Sequence, residues 1–144
     1  MLAFIAHAFP VSRLAPVADA FAFAQVQAFN SYLCATLHVA HAHRMRGHRW
    51  VDPENTEAIT AMQRQVPQSV GDCYAYIEAH VFQGPFVMGE AHTICDPYLF
   101  TLAQWMEDDG VDPKAYPKVA AHRAMMRDRP AVQAALAAEG AESE

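Results

Sequence analysis

Charge is scarce in this sequence: Asp, Glu, Lys and Arg make up 18% of its 144 residues, against about a quarter in an ordinary globular domain. A small domain so poor in charge hides part of its surface against a sister subunit or a further domain. Basic residues are the fewer, 10 against 16 acidic ones, and the net charge of −6 disfavours non-specific binding to nucleic acid or anionic membrane. No apolar run approaches the roughly twenty residues needed to span a bilayer. Met1–Pro10 lacks the basic leader and small-residue cleavage site of a secretion signal. Cysteine is limited to Cys34, Cys73 and Cys95. An odd count with no C-x-x-C pair points to a reduced, cytoplasmic setting. There is no H-E-x-x-H, no repeat and no low-complexity tract, so neither a metal nor a repeat architecture is expected.

What is present is organised around Gly89–Trp105. Thr93 stands three residues before Asp96 and a nearly unbroken apolar run follows, the spacing of an N-terminal capping box with Asp in place of Glu. The Thr93 hydroxyl is expected to accept from the Asp96 N–H, and the Asp96 carboxylate from the Thr93 N–H. From Pro97 to Met106 only Thr101 and Gln104 are polar. A helix apolar almost all round belongs in the middle of a protein.

The rest of the chain reads as further helices. A short one over Met1–Pro10 is stopped by proline. Asp19 opens a long run to about Arg46, with Ala22, Val26, Phe29, Leu33, Leu37 and Ala40 as one buried stripe. A second stripe, Gln27, Ser31, Cys34, His38 and His41, suits a wall facing a cleft or a partner. Asp52-Pro53-Glu54 reads as the start of the next helix, which runs to Phe82 with Pro67 inside it. Shorter helices are predicted over Pro117–Arg127 and Pro130–Ala138, before a polar tail. The fold class is therefore all-α, a bundle of about five principal helices. Cys34 and Cys95 read as small buried hydrophobes, and Tyr32 as either core or the lining of an apolar substrate pocket.

In order, Gly89, Thr93, Asp96, Leu99, Phe100, Trp105, Tyr116, Pro117 and then Arg129-Pro-Ala-Val-Gln133 resemble the C-terminal helical domain of bacterial glutathione transferases. The weaker match upstream extends this over nearly the whole chain. The resemblance implies glutathione as co-substrate, a small apolar electrophile as its partner in conjugation, and a homodimer. It makes residues 1–10 the last helix of a thioredoxin-like domain otherwise missing, 11–17 a linker, 18–139 the helical domain and 140–144 a tail. The nucleophile such enzymes use on glutathione has no counterpart in this chain, so catalytic residues stay unassigned. Leu37-His38 falls where the beta class has Leu-His-Lys at the mouth of the glutathione cleft, with Val39 in place of Lys. His38 is thus either a glutathione contact or a core histidine. Tyr32, Cys34, His38 and His41 form the candidate substrate-binding set, and Thr93 and Asp96 the structural cap. Two other functions stand beside this one: a non-catalytic dimerisation or ligand-binding module of the same fold, and a histidine-rich metal-binding protein.

Overall fold

Asp19 opens the first long helix as its sequence requires, its Oδ1 accepting the N–H groups of Phe21 and Ala22, both at 3.0 Å. The computed structural model, which describes residues 1–141, carries this helix to residue 46 in three pieces. Ala20–Tyr32 and His38–Arg46 are α-helical, and Leu33–Leu37 between them is a π turn in which the His38 N–H reaches back to the Leu33 carbonyl. The second long helix repeats the device: Thr56–Tyr76 is α-helical and Ile77–Val81 a π turn, closed by Phe82 N–H on the Ile77 carbonyl at 3.1 Å. Neither π turn is visible as a break in the apolar periodicity.

The start of the second helix departs from expectation. Asp52 Oδ1 accepts the Glu54 N–H at 2.9 Å in a local turn, and Asn55 is the cap, accepting the Ala58 N–H at 3.0 Å. Asp52-Pro53 is thus a turn before the helix, not its first residues.

Cys95–Ala103 forms the central helix, and Cys95, Asp96, Leu99, Phe100, Leu102 and Ala103 are all buried in it. It ends three residues earlier than the apolar run, because 104–110 fold back as turns that finish on Gly110 at φ +77°. Around it pack Val26, Phe29, Leu33 and Leu37 of the first long helix, Val66, Val70, Tyr74 and Ile77 of the second, and Val119. The next helix, Pro117–Arg127, starts on the second: Glu78 accepts the N–H groups of Lys118 and Val119 at 2.8 and 3.1 Å. A carboxylate at a helix N-terminus satisfies free donors and opposes the helix dipole favourably.

The C-terminal helix, Pro130–Ala141, runs three residues past its predicted end into the expected tail. The remainder of that tail, 142–144, lies outside the described residues. The N-terminal helix, Leu2–Ala8, buries Ala6 alone. Among the described residues there is no β-strand, only an isolated bridge between Phe86 and Gly89, and no helix is long and apolar enough to cross a membrane. The chain is an all-α bundle, its two interrupted helices, the central helix and the last two being the five principal members.

Candidate functional site

Asp96 does more than cap. Its carboxylate is fully buried and accepts four donors: the Val87 N–H (2.9 Å), the Thr93 N–H (2.6 Å), the Thr93 hydroxyl (3.2 Å) and His122 Nε2 (3.0 Å). The Thr93 hydroxyl accepts from Cys95 N–H at 3.3 Å, while Asp96 N–H goes to the Thr93 carbonyl. The cap is therefore reciprocal on the carboxylate side and shifted by one residue on the hydroxyl side. His122, equally buried, was not singled out by the sequence; its Nδ1 has no hydrogen-bond partner and its ring meets Phe82 edge-on. This knot fixes where the central helix begins and hence where Trp105 ends up.

Trp105 is the floor of an open cavity of about 520 Å3 against the first long helix, lined also by Cys34, His38, His41, Arg46, Arg49 and Trp50. The His41 ring stacks on the Trp105 indole, with centroids 4.2 Å apart and planes 21° from parallel, and His38 lies 5.6 Å away across the same indole. Asp109 pins His41: its carboxylate oxygens lie 2.8 and 2.9 Å from Nδ1, so that nitrogen carries the proton and Nε2 is left as the acceptor in the neutral ring. Arg44 Nε is 3.1 Å from Asp109, near enough for an ion pair but not aligned for a hydrogen bond, and that N–H has no other partner. Burial pushes the Asp109 carboxyl up, and His41 and Arg44 offset this only in part. Burial, the neighbouring His41 and Arg46 push His38 below its ordinary value, which disfavours its protonated form.

The four expected substrate-binding residues do not share one site. Cys34, His38 and His41 line this cavity, but Tyr32 lines another, of about 400 Å3, with Phe29, Tyr76 and His80. Its hydroxyl donates to the Cys73 carbonyl at 3.3 Å. Cys34 is exposed, not a buried hydrophobe, because it sits in the π turn on the side away from Leu33 and Leu37; Cys95 is buried as expected. A third cavity, about 620 Å3, opens between the central and C-terminal helices and is lined by Phe100, Gln104, Val132 and Leu136, with Trp105 again on its wall. Asp109 and Trp50 are the members that sequence reasoning missed. Asp109 lies 68 positions from His41, in the turn that follows the central helix. Among the described residues no group of side chains is arranged to hold a metal.

The family profile "Glutathione S-transferase, C-terminal domain" matches residues 42–139. The chain belongs to that family. Comparison with curated proteins gives no significant match. Among solved structures, this transferase domain resembles a glutathione transferase homolog from Sulfitobacter with bound glutathione, at 39% identity and a TM-score of 0.88 over 95% of this chain and 72% of that one. It also resembles a sphingomonad glutathione S-transferase complexed with glutathione, at 28% identity and a TM-score of 0.79 over 96% of this chain. It spans 65% of that protein's length. The glutathione S-transferase from Xylella fastidiosa shares the fold, with a TM-score of 0.82 at 23% identity over 96% of this chain and 67% of that one.

Proposed function

We propose that this chain is the electrophile-binding half of a cytoplasmic enzyme that conjugates the glutathione thiolate to apolar aromatic electrophiles. The observation that carries the reading is the cavity walled by His38, His41, Trp50 and Trp105 in a chain 39% identical to a homolog holding glutathione. An open pocket with aromatic walls suits a planar aromatic ring. His38 at its rim, whose protonated form is disfavoured, can hydrogen-bond the peptide or its sulfur. The thiol itself would be activated on a thioredoxin-like domain, with residues 1–10 as that domain's last helix. Four large side chains at this end, Met1, Phe4, Phe9 and Val11, stand 98%, 73%, 58% and 90% exposed, which supports a covering domain. Phe21, 75% exposed, and Tyr76 beside the Tyr32 cavity are the apolar surface a homodimer would cover. The apolar cavity beside Gln104 favours a second reading, a ligand-binding module without turnover.

The test uses 1,3-dinitrobenzene, which has the ring of an aryl electrophile and no leaving group. Followed by 1H–15N spectra of the chain, it is expected to shift the Trp50 and Trp105 indole signals together with the amides of 38–41. Shifts confined to the Gln104 side favour the ligand-binding module, and the absence of shifts at Trp50 and 38–41 overturns the electrophile assignment.

A further inference from the structure

The walls of the Trp105 cavity carry charge of one sign. Arg46 and Arg49 both line it, and no aspartate or glutamate does. Neither guanidinium makes an ion pair or hydrogen bond among the described residues, whereas Arg44 is committed to Asp108 and Asp109, Arg123 to Glu107 and Arg127 to Gln104. The carboxylate that holds the cavity's His41, Asp109, is 4% exposed and taken up by His41 and Arg44. Arg46 is close enough for its charge to act on His38. Two unpaired guanidiniums beside two indoles are the complement of a planar ring with an anionic group.

We propose that this cavity selects aromatic electrophiles bearing a carboxylate or sulfonate, with the anion between Arg46 and Arg49 and the ring against Trp50 and Trp105. The inference rests on the electrophile reading of the same cavity and names its substrate class. The carboxylate met by these arginines has one other source, glutathione itself, and the experiment separates the two. The arginines are exposed, so their attraction is screened by salt, and their replacement leaves the fold intact.

The probes are 3,5-dinitrobenzoate and 3,5-dinitrobenzamide, which share a ring and differ in charge. Affinities are read from the Trp105 and Trp50 indole signals at low and at 0.5 M salt, in the wild-type chain and in Arg46→Gln/Arg49→Gln. At low salt the benzoate is expected to bind roughly fivefold tighter than the amide, the scale of exposed ion pairing. High salt and the double variant should both abolish that preference and leave the amide unchanged. Excess S-methylglutathione should leave the benzoate bound. Equal affinities with both indoles shifting would overturn the anion preference and keep the pocket. So would a preference that survives the double variant, and displacement by S-methylglutathione would hand the arginines to glutathione. If neither probe moves the indoles, the electrophile reading falls with it.

Discussion

Replacing Asp96 by alanine is the sharpest test of the knot beneath the site. The carboxylate is 0% exposed and holds two backbone N–H groups, Val87 and Thr93, besides the Thr93 hydroxyl and His122. Truncation leaves those amides without acceptors, each at about 1–3 kcal/mol, and removes a cap normally worth about 1 kcal/mol. Allowing for water entering the space, the expected loss is roughly 3–5 kcal/mol, a large part of the stability of a small domain. Asp96→Asn keeps one acceptor oxygen but sets an NH2 against a donor, so its loss should fall between wild type and alanine.

The acid dependence has a definite sign. Burial alone would raise the Asp96 carboxyl, but the donors from His122, Val87 and Thr93 outweigh it and leave it below its ordinary 3.8. A group depressed in the folded state adds stability that is present above its unfolded value and lost as pH falls through the folded one. The gap between wild type and Asp96→Asn should therefore be full near neutrality and narrow below about pH 4. Urea denaturation at several pH values measures both quantities. An Asp96→Ala loss within about half a kcal/mol of wild type, the range of unremarkable surface changes, would refute the reasoning.

Three further outcomes follow from local geometry. Gly110→Ala puts a Cβ 3.1 Å from the Pro67 ring at φ +77° and should cost about 1–2 kcal/mol in urea denaturation, from the left-handed backbone alone. Iodoacetamide on the native chain should add one carbamidomethyl group by mass spectrometry and none to Cys34→Ser: Cys73 and Cys95 are buried, and burial pushes the Cys95 thiol up to about 12. Asp109→Asn loosens the His41 ring stacked on Trp105 and should change tryptophan fluorescence; an unchanged spectrum would mean the carboxylate does not hold that ring.

The features that could be read from the chain are those whose physics is local. Asp19 and Pro117 begin their helices where predicted, because a cap or a first-turn proline acts on residues two or three places away. Asn55 displaced Asp52 because both can cap and only the packing of the second helix decides between them. The buried run of the central helix was plain, since an apolar helix has few other places to go. Cys34 was misjudged as buried from its residue type, although the helical spacing had already set it in the stripe with His38 and His41, and it lines the same cavity as they do. His122 and Asp109 were missed for a different reason. Each matters through one partner, 26 and 68 positions distant, and no periodicity encodes such a pairing.

The π turn at Leu33–Leu37 bears on how this chain tolerates insertion and deletion. Such a turn accommodates one residue more than an α-helical turn would, while the helix on either side keeps its rotational phase. Leu33 and Leu37 stay in the core, and the surplus bulges outward as the exposed stretch Cys34-Ala35-Thr36. Removing Ala35 should therefore let the segment close into ordinary α-helix with both flanks still in phase, a loop-like freedom inside a buried element. What such a deletion would alter is the mouth of the Trp105 cavity, through Cys34. Circular dichroism and melting of the Ala35 deletion would show a folded bundle if the phase is kept, and a collapsed one if it is not. Along this helix, length can vary at the site while the core is left in register.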